Sequence, residues 1–596
     1  MKHTIPALLL IALLAGCGGQ DAPVARTADS ATRLDTALGT VEGYVDEAGA
    51  HVWLGLPYAA PPVGDLRWRA PRAPEAWSGV RDATAFGSVC PQIGSPLSGA
   101  PEAVHGQFWG DEDCLFLNVY APAERSAGLP VLVWIHGGGN TVGHSGFYDG
   151  AQLAAAHDVV VITLNYRLGP LGWFRHPGLS GDDAADASGN YGTLDLVRAL
   201  TWTRDHVAGF GGDPDRVVVF GESAGATNIA SLLVSPYAAN LFHGAILQSG
   251  STSSVSAAQA TNYTDDATPG DAFSASEMLL KVIRRSRDDC DRACARTVAD
   301  AMSVADQGEL LRGVSTLGLF ELYSDGMDLL GPSSPAVIRD GAVLPSAPFI
   351  DQLGAAGKFN AVPTIVGTNR DEPKIFMAFN PDAVKRFAGL PLWPHDERMY
   401  DLHGEYGALA WRIRGADDIA RRLLSANVPV WAYRWDWDEE GNFGFVDLSQ
   451  LLGAAHGLEI PFVFGHFDLG PQTPLLFNDD NAEGRLALSA RMMAYWAAFA
   501  RDLDPGTGAD GAGPRWAAWN PDGGHSYVRL DTGANGIAMA DDEIDIAGFA
   551  DRIAADTRFN NEQERCEVFV ASVRWDDRAD LAAAAETLGC ILPEQG

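Results

Sequence analysis

Ser223 stands in Gly221-Glu222-Ser223-Ala224-Gly225, directly after the apolar run Val217-Val218-Val219-Phe220 and ahead of a helix-like stretch from Ala224 to Val234. Small residues on both sides allow a turn too tight for a Cβ, and such a turn would lift the hydroxyl clear of the strand end. A serine so placed can attack a carbonyl carbon, provided a base takes its proton and N–H groups stabilise the oxyanion. His136-Gly137-Gly138-Gly139 can supply those N–H groups, because three glycines let the main chain approach a bound acyl group. A flexible loop or a phosphate cradle are the competing readings. The second is weakened because neither Gly-Lys-Ser/Thr nor Gly-x-Gly-x-x-Gly follows. The base candidate is His456 in Ala454-Ala455-His456-Gly457-Leu458-Glu459, whose small neighbours let an imidazole project from a loop, although a lone histidine of this kind is more often structural. The acid is sought in Gly367-Thr368-Asn369-Arg370-Asp371-Glu372-Pro373, where Glu372 and Asp371 compete and a surface carboxylate is the plain alternative for both.

Those groups lie far apart in the chain, so a scaffold must bring several loop ends together. Val131-Leu132-Val133-Trp134-Ile135 and Val159-Val160-Val161-Ile162-Thr163-Leu164 are continuous apolar runs, as expected of strands covered on both faces. Asp195 to His206 has helical spacing, and Gly211-Gly212-Asp213-Pro214 turns the chain into the strand before Ser223. Gly244 to Ser249 and Pro363 to Gly367 read as further strands. The alternation predicts an α/β fold with a mostly parallel central sheet covered by helices. The helical, polar stretch from Ser276 to Arg312 is expected to form a cap over the site, and Gly506 to Gly513 a surface loop.

Charge narrows the function classes. The 596 residues carry a formal net charge of −35 and no Lys/Arg-rich run, which excludes nucleic acid as a partner because phosphate binding needs a basic footprint. Anionic substrates are disfavoured at long range. At the start, Lys2 and His3 precede an apolar run from Ile5 to Leu14 that is too short to span a bilayer comfortably. It ends in Leu14-Ala15-Gly16-Cys17, which resembles a bacterial lipoprotein signal. Residues 1–16 would then be removed and Cys17 lipidated, anchoring an exported protein to a membrane facing the periplasm or cell surface. An ordinary signal peptide is the alternative, and residues 17–35 read as a flexible tether.

Six further cysteines suit an exported chain. Many pairings are open, but proximity in sequence suggests Cys90–Cys114, Cys290–Cys294 and Cys566–Cys590. The first and third would each close a loop of about 25 residues, worth about 3.5 kcal/mol in chain entropy. Zinc binding is disfavoured, since no Cys-x2-Cys pair with matching histidines exists.

A longer series of motifs carries a family resemblance. Leu54-Gly55-Leu56-Pro57-Tyr58-Ala59, Pro61 to Trp68, Glu112-Asp113-Cys114-Leu115-Phe116-Leu117-Asn118-Val119-Tyr120, Gly189-Asn190-Tyr191-Gly192, Phe210 to Pro214 and Gln248-Ser249-Gly250-Ser251 follow one another in order around the Ser223 motif. The chain thereby resembles the type-B carboxylesterases, a family that includes bacterial para-nitrobenzyl-type esterases, cholinesterases and bile-salt-type lipases. The resemblance implies an α/β-hydrolase fold over residues 36–545, with helical cap insertions and a C-terminal extension over 546–596. It implies Ser223 as nucleophile, Glu372 rather than Asp371 as acid, His456 as base, and Gly138, Gly139 and Ala224 as oxyanion donors. Cys90–Cys114 matches the family's first disulfide, and Arg67 with Glu112 matches an ion pair bracing that loop. Cys290 and Cys294 fall where a second, usually longer, disulfide loop lies.

Departures from the family pattern bear on substrate. Asn140 replaces the aromatic that often continues the glycine run, predicting a more polar acyl-pocket wall. Pro373 replaces the glycine usual after the acid, and Val104 stands where cholinesterases place a choline-binding tryptophan, so choline esters are not expected. The implied reaction is hydrolysis of a small carboxylic ester through an acyl-enzyme, with neither metal nor organic cofactor and an oligomeric state left open. Interfacial lipase or polymer-ester hydrolysis is the alternative within catalysis. A non-catalytic cholinesterase-like binding protein is the alternative outside it, although such proteins typically lack the serine present here.

Overall fold

The structure, a computed structural model, describes residues 26–124, 127–181, 183–287, 289–323, 336–387, 390–470, 473–533, 535–573 and 580–592. The expected signal and the Cys17 lipidation site lie outside the described residues.

The apolar runs become strands of one 11-stranded sheet. In chain order these are β1 (Tyr44–Val45), β2 (His51–Pro57), β3 (Phe116–Ala121), β4 (Leu129–Ile135), β5 (Val160–Leu164), β6 (Gly212–Glu222), β7 (Gly244–Gln248), β8 (Thr364–Asn369), β9 (Val430–Trp435), β10 (Tyr527–Leu530) and β11 (Ala538–Ala540). They lie side by side in the order β11-β10-β9-β8-β7-β6-β4-β5-β3-β2-β1. Neighbours from β10 through β5 pair parallel, whereas β3, β2, β1 and β11 pair antiparallel at the edges.

The central strands carry continuous apolar runs because both faces are covered. Val131, Val133, Val217, Val219, Ala245 and Leu247 point to one face. There they pack with α1 (Tyr191–His206) and α2 (Ala224–Val234). Leu132, Trp134, Val218, Phe220 and Ile246 point to the other, against the 21-residue helix Ala482–Asp502 through Met492, Trp496 and Phe499. Period-two alternation is thus hidden inside runs that look uniformly hydrophobic.

Insertions follow the sheet. Helices α3 (Ala275–Arg285), α4 (Arg292–Ala301) and α5 (Val304–Arg312) form a lobe with its own core against Trp68, Leu171, Phe174 and Tyr191. Its helices are amphipathic rather than polar, and the layer whose rings contact His456 is a different one. That layer comes from α6 (Lys374–Phe379) and α7 (Glu397–Arg412), the latter continuing through a π-helical turn, Ile413–Asp417. Beyond the sheet, α8 (Ile546–Ala555), α9 (Glu562–Val573) and α10 (Leu581–Leu588) pack with α7 in a separate core.

Cysteines pair as Cys90–Cys114, Cys290–Cys294 and Cys566–Cys590. The expected tether over 17–35 is overturned at its C-terminal end. Asp29 N–H donates to Gly43 O at 2.9 Å, Thr32 is fully buried, and the Trp53 indole donates to Thr32 O at 2.9 Å. Thr32 and Trp53 bury more than a freely solvated linker can.

Candidate active site

Parallel pairing ends β4, β6, β7 and β8 on one edge of the sheet: Gly221 is opposite Ile135, and Glu222 opposite Gln248. Loops at that edge are where open α/β sheets gather ligands. Ser223 follows β6 at φ 57° and ψ −122°, a conformation that a non-glycine residue holds only when its surroundings enforce it. Enforcement comes from Ser223 N–H, which donates to Gln248 O at 2.9 Å, and from α2 starting at the next residue. The flanking glycines are steric necessities. A Cβ on Gly221 would come within 2.5 Å of Ile135 O, and one on Gly225 within 2.0 Å of the same atom.

Beside the elbow, the loop after β4 turns through positive φ at Gly138 (95°), Gly139 (63°) and Asn140 (60°). It touches the serine directly, since a Cβ on Gly137 would lie 3.0 Å from Ser223 Cβ. Val142 N–H and Thr141 N–H donate to Gly138 O, and Gly169 N–H donates to Asn140 O at 2.7 Å, which fixes the loop. The Ala224 N–H opens a helix and has no carbonyl within that helix to meet. His136 stacks on Tyr166 with ring centroids 4.4 Å apart, and burial pushes its pKa down to about 3. It is therefore a neutral structural imidazole. Asn140, where the sequence departs from the family's aromatic, is buried in a hydrogen-bonded cluster. Its Oδ1 accepts from Asn228 Nδ2 at 2.9 Å and from Tyr166 OH at 3.4 Å, so the amide is spent on bracing the loop.

His456 lies on the turn between Gly453 and Glu459, and its Nδ1 is 2.6 Å from Glu372 Oε2. Glu372 is fully buried, and its Oε1 accepts from Asn369 N–H at 2.8 Å. Asp371 points elsewhere: it pairs with Arg370 at 2.7 Å and Lys374 at 3.3 Å and accepts from Ala454 N–H. Burial opposes the charge on Asp371, yet Lys374 and Arg370 hold its pKa below the usual range. The two carboxylates thus differ in their partners: cations lie beside Asp371 and the imidazole beside Glu372.

Two more carboxylates surround the imidazole, and the sequence reading missed both. Glu222 Oε1 is 3.0 Å from His456 Nε2, and Glu459 is joined to Asn369 Nδ2 at 2.7 Å and Gln248 Nε2 at 3.2 Å. Gln248 in turn accepts from the Trp496 indole at 3.1 Å. Burial pushes Glu222 up to about 8 against the opposing pull of His456, and burial together with Glu372 pushes Glu459 up. For His456 burial works against the charged form, but Glu222 and Glu372 prevail and lift it to about 9. A signal existed in the sequence: Glu222 ends an apolar strand, and Glu459 precedes Ile460-Pro461-Phe462-Val463-Phe464. Carboxylates so placed are buried, and buried carboxylates need partners.

Aromatic rings complete the surroundings. Trp411 lies 4.7 Å and Phe376 5.4 Å from the His456 ring, centroid to centroid. Further off, Arg67 and Glu112 form the expected ion pair, with Nε–Oε2 at 2.9 Å, and Arg67 also donates to Val314 O. A second ion pair, Arg167 with Asp195 at 2.7 Å, is more deeply buried and was not foreseen.

The chain is similar to known ester hydrolases. The model of the "Carboxylesterase family" matches residues 30–389 and 397–545. The chain is similar to the para-nitrobenzyl esterase of Bacillus subtilis, 36% identical over 496 residues, covering 80% of this chain and 91% of that protein. It is similar also to the fumonisin B1 esterase of Sphingopyxis macrogoltabida, 34% identical over 526 residues, covering 84% and 87%. Among solved structures it resembles a Geobacillus stearothermophilus carboxylesterase, with a TM-score of 0.64 at 28% identity over 86% of this chain and 98% of the other.

Proposed function

We infer the working parts from one premise: this chain belongs to the carboxylesterase family and is a carboxylic ester hydrolase with an α/β-hydrolase fold. Ser223 is the nucleophile. Its Oγ attacks the ester carbonyl while His456 Nε2 accepts the hydroxyl proton, and the same proton then passes to the leaving alkoxide. A water deprotonated by His456 cleaves the resulting acyl-enzyme and releases the acid. Glu372 fixes the imidazole with Nδ1–H pointing at its carboxylate and stabilises the cation formed at each step. The N–H groups of Gly138, Gly139 and Ala224 stabilise the oxyanion, each worth about 2.7–4 kcal/mol by analogy with other hydrolases.

The observation that carries this reading is the 2.6 Å contact between His456 and buried Glu372, at the same sheet edge as the strained Ser223 elbow. Glu222 adds a constraint. It lies 3.0 Å from the nitrogen that must receive the serine proton, so the hydroxyl has to compete with a carboxylate for that place. Replacing Ser223 with Ala is expected to lower kcat by about 10⁶-fold and abolish covalent labelling by an organophosphonate. Turnover within tenfold of the parent would sink the assignment. The natural ester is addressed by a chain-length series of nitrophenyl esters, with and without emulsified lipid.

The Lys2-to-Cys17 leader supports an exported, lipid-anchored protein. Cys17→Ser is expected to move the protein from the membrane fraction to the soluble one; unchanged fractionation would count against the anchor.

A further inference from the structure

The C-terminal helices contribute nothing to the chemistry set out above, yet they close the back of the helix whose front touches His456. Along α7 and its π-helical continuation, Gly404, Gly407, Trp411 and Gly415 follow at helical spacing and share one face. That face lies against the site without room for side chains. A Cβ on Gly407 would come within 2.6 Å of Pro373 Cγ, next to Glu372, and one on Gly404 within 3.0 Å of Lys374 Cε. A Cβ on Gly415 would come within 2.5 Å of Gly250 O. Trp411 is the single large residue of the row. Its indole N–H donates to Ser249 O at 3.0 Å and Gly250 O at 3.2 Å, which sets the ring over the imidazole at 4.7 Å.

The opposite face carries Leu402, Tyr406 and Ile413, all buried in one core with Phe549, Ile553 and Phe569 of the extension. Polar ties reinforce it. Tyr406 OH donates to Asp556 Oδ2 at 2.8 Å, Arg398 pairs with Glu564 at 2.9 Å, and Arg412 donates to Asp542 O. Cys566–Cys590 joins α9 to the end of α10, behind this core. Without that cover α7 would present an apolar stripe to water, and its glycine face offers few side chains to hold it in register.

We propose that Trp411 is a positioning residue that holds the His456 imidazole in its reactive orientation, and that the C-terminal helices set its place by closing the back of α7. The proposal rests on His456 being the base. It assigns to residues 546–592 a share in turnover, exerted through one tryptophan about 135 positions earlier in the chain. A structural role alone would lower stability and leave kcat per folded site untouched.

The test uses the full-length chain, a nitrophenyl ester and active-site titration, so that kcat refers to competent sites. Trp411→Leu is expected to lower kcat about tenfold with KM within about twofold, and Trp411→Phe to recover most of the loss. Phe549→Ala, remote from the site, is expected to lower kcat about threefold, and its combination with Trp411→Leu to be no slower than Trp411→Leu alone. If Phe549→Ala does not yield folded protein, Phe549→Leu takes its place with a smaller loss in the same direction. Unchanged kcat in the Phe549 variants, or losses that multiply in the double variant, would overturn the link between extension and site. An inert Ser223→Ala with wild-type kcat in Trp411→Leu would defeat this proposal alone. A fully active Ser223→Ala would defeat the catalytic reading beneath it.

Discussion

The two halves of the site are held by different kinds of contact. On the nucleophile side, Gly221, Ser223, Gly225 and the glycine loop are shaped by backbone strain and close approach, resolved within a few residues of the strand ends of β4 and β6. On the base side, side-chain hydrogen bonds between distant residues hold the parts together. Glu372 meets His456 across 84 positions, Asn369 meets Glu459 across 90, and Gln248 meets Glu459 across 211 and Trp496 across 248. The serine is therefore set by close backbone contacts, and the imidazole by a hydrogen-bonding network whose members come from most of the chain. Damage to the first half should follow single steric contacts, and damage to the second should follow charge and hydrogen bonding.

After Ser223→Ala, the largest effect is expected in the network half. Glu372→Gln keeps the shape but cannot hold the imidazole in the required tautomer, so kcat should fall by about 10⁴-fold with KM and the unfolding midpoint little changed. A loss under tenfold would show that Glu222 or Glu459 can substitute for it, and the proposed division of roles would fail. Gly225→Ala probes the steric half with one methyl group. Its Cβ would sit 2.0 Å from Ile135 O, so the elbow must open. We expect about a hundredfold loss of kcat together with about 1–3 kcal/mol of stability, read from urea unfolding. Wild-type activity there would mean that the strain is not what presents the hydroxyl.

The smallest effect sharpens the electrostatics. His456 must be neutral to act as base, and with its pKa lifted from 6.5 to about 9, kcat/KM should rise with pH well into the alkaline range. Glu222→Gln removes one of the carboxylates that raise it, so the acid limb should move to lower pH; a limb that stays put would assign the elevation to Glu372 alone. Stability carries the same sign. The contribution of charged His456 is fully present below 6.5, its value in the unfolded chain, and is lost as pH rises through about 9. Glu222, raised from 4.5 to about 8, binds its proton more tightly in the folded chain, so stability also falls with pH between those values. The variant should show a shallower decline in unfolding midpoint over that span.

How far apart a feature's signals lie in the chain decided what could be read from the sequence. The elbow, the glycine loop, the strands around them and the three cysteine pairs were legible because each is signalled by residues close together in the chain. Residues alone left Asp371 and Glu372 level and a family resemblance chose between them; in the fold Asp371 pairs with Arg370 and Lys374, while Glu372 meets His456. The buried partners of Asn140, Asn228 and Tyr166, were not legible because they are assembled only in the fold. The stretch from Ser276 to Arg312 was expected over the site because helical spacing does not say which surface a helix covers. Its apolar stripe goes to Trp68 and Tyr191 instead. Trp411 carried no local signal at all, since its importance lies in Ser249, Gly250 and His456, each at least 45 positions away.

The contact between Gly225 and Ile135 O has a consequence in time. The elbow can close only after β4 and β6, brought together from positions about 90 apart, have docked in register, and pairings at that separation form late in folding. Under the proposed assignment, a chain still folding carries Ser223 as an ordinary alcohol. Reaction with an organophosphonate would then count native molecules, one label for each completed sheet centre, and would serve as a clock for folding as well as an assay of catalysis.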